Sequence, residues 1–373
     1  MKSLKLGLIS IALTAGWAAA QDQPQGLLPS LTGPYSVGRA SLQWSDESRP
    51  DAASPDGHRQ LVVWLWYPAA KTQKQSPAAW QPDKWGELYW TRFLRSHPDF
   101  AALGTRYPVQ SILSHSYANV PPLPGRQVFP LLLFTPGGGE LPLNYASLIE
   151  DLASYGYIVV GIVPAHSGSC VYSDGRIVDL PSRTRFDESA AVADLTFTLN
   201  EFEKLPAKSP WKNRIDFTHI GAFGHSLGGG ASLDIAKTDA RVRAVVAIDA
   251  GDPTGLAKPI LYLHAAGDQL TTLPPDAIGE IRQQTQLFLQ TARPGYDLWI
   301  KGARHSFSMD HFMLPYLPKT IEMAGTIEPT RAITITRVLI RSFFDQHLKG
   351  TKPAVPISPS PGFPEVVLVG DPK

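Results

Sequence analysis

Six short, mainly apolar runs recur after residue 127, and the lengths between them dictate the fold. They are 128–135 (VFPLLLFT), 157–163 (YIVVGIV), 217–223 (FTHIGAF), 242–248 (VRAVVAI), 259–264 (PILYLH) and 296–300 (YDLWI). None alternates strictly between apolar and polar, so none reads as a strand with one wet face. Runs of this kind belong to strands buried on both faces, as in a parallel sheet. The stretches between them suit helices at 145–154, 186–205, 229–237 and 278–291, and 333–347 (ITITRVLIRSFFDQH) closes the series as an amphipathic helix. Strands alternating with helices predict an α/β fold with a mostly parallel central sheet and helices on both faces. Ahead of this core, 35–44 and 59–67 (RQLVVWLWY) read as a hairpin or meander across a polar link holding Pro50, Pro55 and Gly57.

One junction in this series carries chemistry. Gly224-His225-Ser226-Leu227-Gly228, with Gly229 and Gly230 behind, joins a strand to a helix rich in small residues. A serine presented on so sharp a turn needs tiny neighbours, because strand and helix must approach closely. This G-x-S-x-G pattern predicts Ser226 as a nucleophile. A serine alone is a weak one, and it needs a base and an acid to orient that base. On such a sheet the chain order is serine, acid, histidine. His305, in the loop after the last core strand, is the expected base, with His311 close behind it in a helical turn. Asp249 and Asp268 both follow core strands at their carboxyl ends, where catalytic groups collect, and Asp252 is a weaker third choice. Spacing alone leaves Asp249 and Asp268 open. The developing oxyanion needs two backbone donors: one from Leu227, the other from the glycine loop 136–140 (PGGGE) after the first core strand. No Lys-Ser/Thr follows that loop at the spacing of a phosphate cradle.

Composition narrows the classes further. A chain of 373 residues with 43% hydrophobic content supports one large core. A net charge of +1 and the lack of a basic run give no reason to expect nucleic acid. No metal-binding or cofactor motif is present, so none is expected. Cys170 is the single cysteine, which excludes an intramolecular disulfide, and its setting carries no such glycine-flanked turn. Lys2, Lys5, the apolar stretch 6–15 and Ala18-Ala19-Ala20 read as a cleavable export signal ending at about Ala20, which predicts a secreted or periplasmic protein. One domain is expected over 21–350, with a Pro-rich tail over 351–373 that includes a short apolar run at 366–369. An aromatic-rich insert spans 71–126, where Trp85, Leu88, Tyr89, Arg92 and Phe93 fall at helical spacing. It is either a helix packed on the core, or a cap whose aromatics border an acyl pocket or meet a lipid surface. No stretch announces a symmetric interface, so the oligomeric state is not written here.

At these residues the chain resembles the platelet-activating-factor acetylhydrolase-like (plasma-type phospholipase A2) branch of the α/β-hydrolases. The likeness runs from about Phe129 to Gly350 and rests on 129–139 (FPLLLFTPGGG), 151–159 (DLASYGYIV), 224–229 (GHSLGG), 247–250 (AIDA) and 302–307 (GARHSF). It implies an α/β-hydrolase fold and a serine carboxylester hydrolase acting on short acyl esters, phospholipid esters included, without a cofactor. It also implies Asp249 as the acid, with Asp249 and His305 lying 23 and 79 residues after Ser226, and Gly138 as the loop's oxyanion donor. The chain departs from the family in carrying Pro136 where a histidine precedes the loop glycines. A weaker likeness extends to cutinase-like polyester hydrolases, which use the later aspartate. Polyester or lipid hydrolysis is therefore the alternative, and a non-enzymatic lipid-binding protein on the same fold is a third.

Overall fold

The computed structural model describes residues 27–51, 54–70, 75–96, 98, 109–163, 169–179, 187–250, 256–267, 275–314, 325–353 and 356–368. The leader-like residues 1–20 lie outside these.

The apolar runs become the centre of a ten-stranded sheet. Its strands are β1 (Ser36–Pro50), β2 (His58–Ala69), β3 (Ser116–Ala118), β4 (Phe129–Thr135), β5 (Ile158–Ile162), β8 (Ile215–His225), β9 (Val242–Ile248), β10 (Ile260–Gly267), β11 (Gly295–Lys301) and β12 (Val366–Leu368). A separate two-stranded ribbon is formed by β6 (Cys170–Val171) and β7 (Ile177–Val178). The order across the main sheet is β12-β11-β10-β9-β8-β4-β5-β2-β1-β3. The block from β11 to β5 is parallel throughout, and β2, β1 and β12 add antiparallel neighbours at its edges.

Burial explains why those runs do not alternate. Leu131 and Leu133 of β4 face one side of the sheet, packing with Leu65, Val160, Ala222 and Val245. Leu132 and Phe134 face the other, with Trp66, Val159, Phe223 and Val246. Helices cover both faces. On one side are α2 (Ala146–Ser154) and α6 (Pro329–Leu348), which contribute Leu148, Leu152, Leu339 and Phe344. On the other are α3 (Glu188–Glu203) and α4 (Leu227–Thr238), which contribute Leu195, Leu199, Leu233 and Ile235. A further helix, α5 (Pro275–Thr291), connects β10 to β11. Among the described residues no helix is long and apolar enough to cross a membrane.

The aromatic-rich insert forms the helix α1 (Asp83–Ser96), which packs on the core. Trp85 and Leu88 join the main cluster, the Trp85 ring sits edge-on to Trp64 at 5.6 Å, and Tyr89 meets Trp80 at 5.1 Å. Two edge strands of the main sheet exceed the sequence expectation. The insert also supplies β3, a parallel edge strand beside β1, and the Pro-rich tail returns as β12 to cover the far edge beside β11. Each is three residues long, too short for periodicity to register.

Candidate active site

Sheet order decides where the chemistry collects. From β4 the chain steps to β5 on one side, then returns to lay β8 on the other, with Thr135 opposite Gly224. Loops leaving two such strands diverge, and the carboxyl ends of this switch point are where parallel sheets bind ligands. The glycine loop leaves β4 there, and the serine turn leaves β8.

The turn is as crowded as its sequence demands. A methyl on Gly224 would stand 2.2 Å from the Gly228 carbonyl oxygen, and one on Gly228 would stand 2.3 Å from the carbonyl oxygens of both Thr135 and Pro136. No larger residue fits between strand, helix and loop. Ser226 pays for the sharpness with φ 55° and ψ −126°, a region that L-residues seldom occupy and that costs about 1–3 kcal/mol. The turn is held by the Ser226 N–H on the Ile248 carbonyl (2.8 Å) and by the Gly229 N–H on the Ser226 carbonyl (2.9 Å).

His305 stands in the turn after β11, with Nε2 2.9 Å from Ser226 Oγ and Nδ1 2.6 Å from Asp249 Oδ2. A carboxylate only accepts, so Nδ1 carries the proton, Nε2 is bare, and the Ser226 hydroxyl donates to it. Asp249 follows β9 with φ 42°. Its other oxygen accepts the Ala265 N–H at 2.9 Å, and its own N–H donates to the Leu263 carbonyl at 2.7 Å. Two strands thus fix the carboxylate before it meets the ring. The Asp249 hydrogen bond raises the His305 pKa above its ordinary 6.5, against the opposing effect of partial burial.

Leu227 opens α4 and is 47% exposed, while Gly138 lies on the outer side of its loop. Among the described residues neither backbone N–H has a backbone partner, as an oxyanion donor requires. His311 sits in the 3₁₀ turn Asp310–Met313, its ring on Phe312. Asp252 and Asp268 lie outside the described residues. Cys170 is buried, and burial pushes its thiol up to about 12, which leaves it inert. Among the described residues no cluster of three or more His, Cys, Asp or Glu could hold a metal ion.

The structure adds three residues that the sequence did not single out: His225, Tyr145 and Asp310. His225, inside the G-x-S-x-G pattern, is buried between Tyr145 and the main chain of His305. Its one sequence signal was a polar residue directly after the apolar stretch 220–224. Asp310 is also fully buried, and burial pushes its carboxyl up to about 7. It accepts the Trp80 Nε1–H at 3.2 Å and the Ser147 N–H at 3.1 Å, so it ties the segment after His305 to the insert and to the first turn of α2.

Known proteins align with this arrangement. The family model "Platelet-activating factor acetylhydrolase, isoform II" matches residues 20–172, and the model "PET hydrolase-like" matches residues 144–277. A probable 1-alkyl-2-acetylglycerophosphocholine esterase from Arthroderma benhamiae is 26% identical, covering 97% of this chain and 99% of that protein. The platelet-activating factor acetylhydrolase of Gallus gallus is 22% identical over 93% of this chain and 90% of its own. A ferulic acid esterase structure from Streptomyces cinnamoneus superimposes with a TM-score of 0.72 and 27% identity, covering 91% of this chain and 98% of that one. Esterase relatives that span nearly the whole chain, joined to a doubly covered parallel sheet with a crowded serine turn at its switch point, identify a carboxylester hydrolase of the α/β-hydrolase fold whose family likeness is to the platelet-activating-factor acetylhydrolase-like branch.

Proposed function

We propose that this esterase cleaves short acyl esters, phospholipid-type esters included, through Ser226, His305 and Asp249. The observation that carries the reading is the unbroken hydrogen-bond line from Ser226 Oγ through the His305 ring to Asp249. Ser226 Oγ attacks the ester carbonyl as His305 Nε2 takes its proton. Asp249 holds the ring by Nδ1–H and stabilises the imidazolium that forms. The Gly138 and Leu227 N–H groups receive the oxyanion. The tetrahedral intermediate collapses, His305 protonates the leaving alkoxide, and an acyl-Ser226 ester remains. Water, deprotonated by His305, then releases the acid and restores the serine.

A short acyl group is favoured by the relatives whose names specify an acetyl ester. Export rests on the leader-like residues 1–20, with cleavage near Ala20. Activity on p-nitrophenyl esters from acetate to palmitate tests the substrate class. Sharp preference for acetate and butyrate is expected. A second reading, polyester or longer-chain lipid hydrolysis, draws on the PET hydrolase-like match over 144–277, and a maximum at long chains would replace the first reading with it.

Acidity gives an independent test. His305 acts only when neutral, and its bond to Asp249 keeps it protonated to higher pH than a free imidazole. On acidification kcat/KM therefore falls with an apparent pKa above 6.5. In Asp249→Asn this limb moves to lower pH. A parent limb below 6.5, or one that Asp249→Asn leaves in place, would contradict the pairing.

A further inference from the structure

We propose that Tyr145 and His225 are positioning residues that lock the glycine loop to the turn carrying His305. The proposal deepens the reading above and rests on its assignment of Ser226, His305 and Gly138.

The two ends of the line fix its direction. The His305 carbonyl, 2.6 Å from His225 Nε2, can only accept, so Nε2 carries the proton and Nδ1 is bare. Tyr145, 2.8 Å away, must then donate its hydroxyl to Nδ1. The same oxygen accepts the Gly137 N–H at 3.2 Å. The result is a single donor-to-acceptor line from Gly137 through Tyr145 and His225 to the His305 main chain, and it admits one tautomer of one neutral histidine. Burial, and then the neighbouring His305, lower the His225 pKa to about 4, which keeps it neutral at working pH.

Its two ends are the parts that must be aimed. The Gly137 carbonyl accepts the Glu140 N–H at 2.9 Å. In a trans peptide the next N–H, that of Gly138, points the opposite way. With the Gly137 N–H held by Tyr145 and its carbonyl held by Glu140, the plane presenting the Gly138 donor cannot swing. At the other end the His305 main chain is held while its ring reaches Ser226. Packing agrees with this role. A methyl on Gly137 would stand 2.9 Å from His225 Nδ1, so the loop lies directly on the pair. The Tyr145 ring is wedged against Phe134 of β4 at 4.9 Å, and the His225 and His305 rings stand 4.7 Å apart.

The test compares Tyr145→Phe, His225→Gln and His225→Leu with the parent, measuring kcat and KM separately. Active sites are titrated with a fluorophosphonate, and Tm is recorded. Tyr145→Phe keeps the packed ring and removes only the hydroxyl. Its kcat per titrated site falls about tenfold, and His225→Leu falls about a hundredfold, both with KM little changed, as expected for displaced groups. His225→Gln offers one donor and one acceptor and recovers much of the loss. An unchanged kcat per titrated site in Tyr145→Phe, even with a lowered Tm, would make the pair merely structural and overturn the proposal. Equal losses in His225→Gln and His225→Leu would overturn the directed line. If His225→Leu does not fold, Tyr145→Phe alone decides. Full turnover in Ser226→Ala would instead defeat the underlying reading.

Discussion

Ser226→Ala loses about a millionfold in kcat on every ester the parent turns over, and it no longer reacts with a fluorophosphonate. The size follows from removing the atom that forms the acyl-enzyme in the proposed mechanism. What survives is whatever the Gly138 and Leu227 donors and substrate binding supply to direct attack by water, about a thousandfold over solution. Stability is little affected. The hydroxyl's partner is the exposed ring of His305 at 2.9 Å, and the strained φ of 55° is imposed by the glycine turn, which alanine inherits. Equal Tm with lost turnover and lost labelling therefore isolates chemistry from folding. Retained labelling would require a second activated nucleophile. Cys170 does not qualify, because it is buried with its thiol pushed up to about 12. Such a result would sink the assignment of Ser226 altogether.

The centre of the fold was legible because burial on both faces leaves a mark in single sequences. Runs such as LLLF and AVVAI have nowhere polar to point. The serine turn was legible for a steric reason, since Gly224 and Gly228 sit where any side chain would strike main chain. The sheet edges were less so. The strands β3 and β12 are three residues each and are held by their partners, so they are too short to show a period of their own. The insert's helical spacing was readable, but only Trp85 against Trp64 and Trp80 against Tyr89 show that it packs inward. The pairing of Tyr145 with His225 was invisible for another reason. They lie 80 residues apart and acquire a role only because β4 and β8 are neighbours. The two aspartates show the same limit. Asp249 and Asp268 each follow a buried strand, and the pattern does not say which strand lies beside β8. The order β10-β9-β8 puts the end of β9 next to the serine, and Asp249 comes within 2.6 Å of His305.

Asp249→Asn therefore lowers kcat by about ten-thousandfold, while Asp268→Asn stays within severalfold of the parent. The main chain around Asp249 makes the effect severe. Oδ1 accepts the Ala265 N–H at 2.9 Å, and an asparagine keeps that bond by leaving its carbonyl oxygen in place. Its NH₂ group must then face His305 Nδ1, where the carboxylate stood. A donor there forces Nδ1 to accept and moves the ring proton to Nε2, the nitrogen that should take the Ser226 proton. The histidine stays in place in the wrong tautomer. Asparagine also tolerates the φ of 42° that Asp249 adopts, so the loss is not a folding defect. Fluorophosphonate labelling of Asp249→Asn should slow in step with kcat at unchanged Tm. The reverse pattern, with Asp268→Asn crippled and Asp249→Asn mild, would place the acid after β10 rather than β9. It would also favour the polyester-hydrolase reading, which draws on the match over 144–277.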